Sequence, residues 1–252
     1  VSAGPPPFPD REYGRNGWIG VGTPQANPTV EAEFCRLLPD DVELLTTRLR
    51  GSTASSEQRM VDYLVNLPES LGAFDTLKPD AFGFANTAAS YLIEPDREAA
   101  LLADMQAGFG YPIVTAANAV LLTLQALGAA RITIVAPYPP AIVDASVAYW
   151  ERAGLQVAGV HRIEIGSDDT RNIYSLRSQD VMPILAQVQT VATNVIMLSG
   201  TGMPSLATIG QAWPALGKPI LSSDYCLAWA LLREVGSTIL PWNKNGPALR
   251  LN

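Results

Sequence analysis

The polar residues with chemical use fall into six clusters, each just after an apolar, β-rich run: residues 23–27, 86–90, 115–118, 137–139, 199–203 and 222–224. Asn27, Thr87, Ser90, Tyr138, Ser199, Thr201, Ser222 and Ser223 bring hydroxyls and carboxamides that hydrogen-bond an anion without Arg or Lys. Helix N-termini at strand-to-helix turns favour negative charge. The chemistry on offer is the holding of a carboxylate or a developing oxyanion. Each residue also has a plainer reading. Thr87, Ser90 and Thr201 fit helix N-caps worth about 1 kcal/mol, Asn27 before Pro28 fits a turn, and Tyr138 between prolines fits a loop brace.

Groups able to move protons are few. The chain has one histidine and two cysteines, which cannot build a thiolate–imidazole zinc cage. Cys226 sits in an apolar helical run and reads as an inert core residue; Cys35, beside Phe34 and Leu37, reads as buried too. His161 lies near a strand and reads as a satisfied or surface side chain. Asp224 closes a strand beside the clustered donors and is the best carboxylate candidate, with the N-cap of the next helix as its commoner use. Asn172 adjoins the polar stretch Gly166–Arg171, which reads as a solvated loop.

The elements that must position these clusters alternate along the chain, the signature of an α/β fold with mainly parallel sheet. Strands are expected at 18–22, 42–48, 81–85, 112–115, 131–136, 156–163, 194–198 and 219–222. Helices are expected at 29–37, 56–66, 97–108, 117–127, 140–153, 178–193, 205–216 and 226–235, with Gly128, Gly154 and Gly236 as stops. An internal repeat runs through this pattern. Ile19-Gly-Val-Gly-Thr-Pro24 resembles Thr133-Ile-Val-Ala-Pro137, residues 80–87 resemble 194–201, and Tyr111-Pro-Ile-Val-Thr-Ala116 resembles Lys218-Pro-Ile-Leu-Ser-Ser223. Two copies of one βαβ lobe imply a pseudo-twofold axis, with a site between lobes outside the carboxyl ends of the strands. The expected organisation is a proline-rich arm at 1–16, a first lobe at 17–116 joined by a C-terminal segment, a second lobe at 117–236 and a tail at 237–252.

Composition sets the limits. Of 252 residues, 48% are apolar and 16% charged, with a net charge of −7, which fits a well-buried core and not a disordered acidic chain. An acidic chain is a poor partner for a phosphate backbone, so nucleic acid is not expected. Apolar stretches fall short of the roughly 20 residues a membrane span requires. Two distant cysteines suit a reducing, cytoplasmic compartment. The chain opens at Val1 with Gly4-Pro-Pro-Pro-Phe-Pro9 and no basic-then-apolar leader, which reads as a trimmed, extended arm.

Five segments together carry a family likeness: Gly22-Thr-Pro-Gln-Ala-Asn-Pro-Thr-Val-Glu31, Ala85-Asn-Thr-Ala-Ala-Ser-Tyr-Leu92, Ala136-Pro-Tyr138, Leu198-Ser-Gly-Thr201 and Ser222-Ser-Asp-Tyr-Cys-Leu-Ala-Trp229. Over residues 17–236 the chain resembles the maleate cis-trans isomerase and arylmalonate decarboxylase group of the aspartate/glutamate racemase superfamily. The resemblance implies two pseudo-symmetric lobes and a cofactor-free isomerase or lyase, acting beside the carboxylate of a small acid, with dimerisation expected. It also implies thiols where Asn86 and Gly200 stand here. Asparagine has no titratable proton and glycine no side chain, so thiol chemistry is not available at those positions. Asn86 then either orients substrate or water, or is an inert replacement; Gly200 enlarges the pocket or lets backbone N–H groups approach the ligand. Asn27 and Tyr138 match positions that relatives use to hold a carboxylate and donate a proton. Asn86, Tyr138 and Gly200 are thus the expected reacting positions, and Asn27, Thr87, Ser90, Ser199, Thr201 and Ser223 the binding set. Two functions follow: an atypical isomerase or lyase, and a catalytically silent small-carboxylate binder on the same scaffold.

Overall fold

The computed structural model describes residues 11–52, 55–189, 191–243 and 245–249. Most of the expected arm, residues 1–10, lies outside them. In the first half β1 (Gly17–Pro24), β2 (Val42–Leu49), β3 (Ala81–Phe84) and β4 (Ile113–Thr115) form a parallel sheet in the order β2-β1-β3-β4. In the second, β5 (Arg131–Ala136), β6 (Gln156–Arg162), β7 (Val195–Leu198) and β8 (Ile220–Ser222) repeat the arrangement as β6-β5-β7-β8. Strand order and direction are therefore the same in both halves, as the sequence repeat requires.

The inner strands are buried on both faces, which explains why they read as unbroken apolar runs instead of alternating ones. Every residue of β3 and β7 is buried. Register brings Gly22 beside Phe84, and Leu198 beside Ser222, so the chain leaves adjacent strands at one level and the polar clusters meet there.

The helices are α1 (Val30–Leu37), α2 (Ser56–Val65), α3 (Leu67–Gly72), α4 (Thr87–Leu92), α5 (Pro95–Phe109), α6 (Ala116–Ala126), α7 (Pro140–Arg152), α8 (Ser178–Val188), α9 (Leu206–Leu216) and α10 (Ser223–Glu234), with a 3-10 helix at Thr170–Ser175. All of residues 223–232 in α10 are buried. This helix follows the last strand of the second sheet yet packs on the first: a Cβ on Gly83 of β3 would lie 2.6 Å from Leu231 Cδ1. Only glycine leaves room there, so Gly83 permits the close approach that joins the halves.

The differences from the expected elements have local causes. Helix α10 begins three residues before the expected start at 226, because the Ser222 hydroxyl caps it by accepting Tyr225 N–H at 3.1 Å. Thr115 does the same for α6, accepting Asn118 N–H at 3.2 Å. Helix α8 ends at Val188, short of the expected 193; the amide of Val191 turns back to Val188 O at 3.0 Å. Helices α3 and α4 and the 3-10 turn were not expected at all, each being too short for a periodic signal. The C-terminal segment forms a small hairpin, β9 (Trp242–Asn243) with β10 (Gly246–Pro247). Tyr225 anchors it, donating to Pro241 O at 2.6 Å and accepting from Ala248 and Leu249 N–H.

Candidate functional site

Asn27 follows β1 and is 2% exposed. Its Oδ1 accepts Thr29 N–H at 2.8 Å, the expected turn role, while its Nδ2 donates to Thr201 O at 3.2 Å in the other half. Thr29 Oγ1 donates to Gly202 O at 2.9 Å, and Thr201 Oγ1 donates back to Ala85 O at 2.8 Å. The loops after β1, β3 and β7 are thus laced together by side chain to backbone bonds.

Asn86 is the N-cap of α4: its Oδ1 accepts Ala89 N–H at 3.1 Å and its Nδ2 lies 3.0 Å from Met60 Sδ. Its carboxamide is engaged at both ends. The next residue, Thr87, donates from Oγ1 to Ser223 Oγ at 2.8 Å, and Ser223 Oγ also accepts Gly200 N–H at 3.0 Å. The Tyr138 phenol stands beside this pair, on the flank of Gly200. Ser223 Oγ accepts twice, which leaves its own hydroxyl proton to donate.

Gly200 has φ +115°, and a Cβ there would lie 3.0 Å from the Tyr138 hydroxyl oxygen. Both backbone conformation and available space therefore oppose a side chain at this position. The glycine aims its amide at Ser223 and leaves its flank to the phenol. Tyr138 is 4% exposed, and burial raises its pKa well above the ordinary phenol value, so it is a neutral donor at physiological pH.

Two expected members of the binding set have other partners. Ser90 donates to Glu98 Oε1 at 2.5 Å, bracing α4 against α5. Ser199 Oγ shares a hydrogen bond of 3.0 Å with the Tyr91 hydroxyl, and the Tyr91 ring meets Tyr138 edge-on at 6.5 Å and Trp150 at 5.5 Å. Ser199 thus supports the aromatic wall behind Tyr138. The structure brings Asn27, Asn86, Thr87, Tyr138, Gly200, Thr201 and Ser223 together and turns Ser90 away.

Arg59 on α2 donates from Nη2 to Ser56 Oγ, Asp169 Oδ1 and Thr170 Oγ1 at 3.2, 3.0 and 3.0 Å. This ties the first half to the 3-10 turn of the second. Tyr174 of that turn covers Gly202, where a Cβ would lie 2.6 Å from its ring. Asn172 is exposed, in keeping with a solvated loop.

Among the titratable candidates, Cys226 is buried on α10, and burial pushes its thiol up to about 12 with a hydrogen bond to Thr123 acting against it. Cys35 is exposed, contrary to the expected burial. The inward stripe of α1 is Val30, Glu33, Phe34 and Leu37, and this register turns position 35 outward. His161 is half-buried on the outer strand β6. Asp224 is not the N-cap of α10, since Ser222 holds that place; it sits in the first turn, 1% exposed, where burial and the neighbouring Glu33 carboxyl raise its pKa well above the ordinary carboxylate range. Sequence reasoning missed Glu33, although an acid at the i+3 position of an apolar stripe was a visible signal. Among the described residues no group of three or more His, Cys, Asp or Glu could hold a metal ion, and no helix is long and apolar enough to cross a membrane.

What the arrangement offers is a set of neutral, pre-aimed donors at the ends of five strands. Comparison with known proteins assigns the scaffold. The chain is 25% identical over 238 residues to the maleate isomerase of Nocardia farcinica, covering 86% of this chain and 89% of that one. It is 25% identical over 224 residues to the arylmalonate decarboxylase of Bordetella bronchiseptica, covering 86% and 90%. A solved structure of a cysteine-to-serine variant of the Nocardia farcinica maleate cis-trans isomerase, with a covalently bound succinylcysteine intermediate, superposes with a TM-score of 0.74 at 23% identity, covering 86% of this chain and 92% of that one. The arylmalonate decarboxylase family model matches residues 19–243, and with that extent of match over this paired-sheet fold, the chain belongs to the arylmalonate decarboxylase family.

Proposed function

We propose that this protein binds the carboxylate of a small organic acid between its halves and acts on it as a cofactor-independent, isomerase- or lyase-type enzyme that does not use sulfur at positions 86 and 200. The observation that carries the reading is the convergence of the Thr87 hydroxyl and the Gly200 amide on Ser223 Oγ, with the neutral Tyr138 phenol on the flank of Gly200. Such a set stabilises an anion without a counter-charge, and more strongly as charge grows on oxygen in an enediolate-like transition state. Asn27 and Thr201 supply the facing edge. Tyr138, a neutral phenol, is the group able to deliver a proton to carbon.

A second reading, a silent binder, is favoured by one specific feature: the Asn86 carboxamide is used as a helix cap and Gly200 has no side chain, so neither serves as base. Thermal melting against C4 to C6 diacids and arylmalonates, followed by product analysis of concentrated protein over many hours, separates the two. A ligand-dependent rise in Tm supports the shared site. Turnover that Tyr138→Phe abolishes supports the enzyme, and stabilisation without any product supports the binder. No stabilisation by any acid tested contradicts both.

A further inference from the structure

Beneath these donors lies a pair of acids that neither the fold nor the proposed chemistry requires. Glu33, on α1 of the first half, is 6% exposed and Asp224, on α10, is 1% exposed. Glu33 Oε1 accepts the amides of Ser205 and Leu206 at 2.5 and 3.1 Å, and its Oε2 accepts the Ser205 hydroxyl at 2.7 Å. Three donors at the start of α9 thus favour the ionised form of Glu33. Asp224 has the opposite environment. Neither of its oxygens has a hydrogen-bond partner among the described residues, and burial, with the neighbouring Glu33 carboxyl after it, pushes its pKa well up. Two neighbouring buried carboxylates with no cation beside them among the described residues cannot both stay ionised.

We propose that Glu33 and Asp224 hold one proton between them, Asp224 as the neutral acid donating to the Glu33 carboxylate, and that this shared proton makes them a positioning pair for the site. Ser205 connects the pair to the site: its hydroxyl lies 2.7 Å from Glu33 Oε2 and 2.7 Å from Ser222 Oγ. Ser222 caps α10, and the next residue, Ser223, receives Thr87 and the Gly200 amide. The pair therefore fixes the turn that presents the free Ser223 hydroxyl, and it does so across the two halves. Losing the proton leaves two repelling charges at this junction and loosens the turn. The other titratable groups facing Asp224 are Tyr138 and Cys226, both of which burial holds neutral well into the alkaline range.

The proton itself is tested without any ligand. A folded chain that keeps a carboxyl proton released by the unfolded chain above about pH 4 loses stability as pH rises, up to the folded-state pKa. From pH 6 to 8 the folded-to-unfolded ratio of the unchanged protein should fall about tenfold more per pH unit than that of Asp224→Asn, whose amide still donates to Glu33. Parallel pH curves overturn the shared proton. Should Asp224→Asn fail to fold, infrared spectra of the unchanged protein with carboxyl-13C aspartate decide it. A protonated-carboxyl band at pH 8 that shifts with the label is expected, and its absence overturns the proposal. Glu98, also pushed upward by burial, is not moved by that label.

The positioning role rests on the small-acid reading and uses maleate as probe. Affinity of the unchanged protein should drop at least tenfold above the pH at which the infrared band is lost, whereas Asp224→Asn should show no such drop. Equal pH dependence overturns the positioning role. No binding of maleate to the unchanged protein at any pH overturns the small-acid reading instead, with the proton still decided by melting and infrared.

Discussion

Thr87 and Ser223 stand 136 residues apart in the chain, yet their hydroxyl oxygens are 2.8 Å apart, the first donating to the second. One residue opens α4 beside the first sheet; the other opens α10 after the last strand of the second. This bond is one of several that join the two copies of the repeat, and the Gly200 amide converges on the same oxygen.

Removing the shared acceptor is the first test. Ser223→Ala strands the Thr87 hydroxyl and the Gly200 amide in the interior, and each orphaned group costs about 1–3 kcal/mol. Urea unfolding should show a loss of that order, and a cycle with Thr87→Val should show the two substitutions to be non-additive. Fully additive effects would contradict the bond.

Gly200→Ala should destabilise by about 1–3 kcal/mol, since it forces an L-residue to φ +115° and brings a methyl against the Tyr138 hydroxyl. Combining it with Tyr138→Phe relieves the crowding but not the backbone strain, so melting should recover in part. A neutral Gly200→Ala would refute the reading of position 200 as a backbone position. Gly200→Cys carries the same strain, and it is not expected to establish thiol catalysis.

At Asn27 the two ends of the carboxamide do different work. Asn27→Asp keeps the acceptor for Thr29 N–H but loses the donor to Thr201 O and adds a negative charge where an acid is to bind. Affinity for a dicarboxylate should fall by more than tenfold, at least 1.4 kcal/mol, with a smaller change in Tm. Calorimetric titration beside a melting curve checks both.

Asp169 gives a pH signature of opposite sign to that of the buried acids. Its bond to Arg171 and its pairing with Arg59 hold its carboxyl well below the usual range. A depressed folded-state pKa contributes stability above the unfolded value, lost as pH falls below about 4 through the folded one. Acid unfolding of Asp169→Asn should therefore be less steep below pH 4 than that of the unchanged chain. An unaltered acid limb would show that this cluster does not link the halves energetically.

The expected fold was legible because its determinants are local or repeated. Strands such as β3 and β7 are short, wholly apolar and bounded by breakers, and the repeat shows the same run of elements twice; the order of strands in each sheet was not read from the sequence. Element starts were less legible. Ser222 ends β8 as expected and also caps α10, whereas Ser223 and Asp224, which read as closing the strand, are the first turn of that helix. At the site, the residue types and the strand ends bearing them could be read from the sequence; the partner of each hydroxyl could not. Ser90 and Thr87 look alike there, but one faces Glu98 and the other Ser223, a choice made by the angle of a six-residue helix. Cys35 and Glu33 show the same limit: placing either required the rotational register of α1, in which 33 points inward and 35 outward.

Where an acid binds is the most direct test of the site. In a crystal structure with maleate, one carboxylate should lie within hydrogen-bonding distance of the Ser223 hydroxyl and the Tyr138 phenol, with Asn27 and Thr201 on the facing side. A carboxylate held elsewhere, or held by an arginine or lysine while Tyr138 and Ser223 stay untouched, would contradict it.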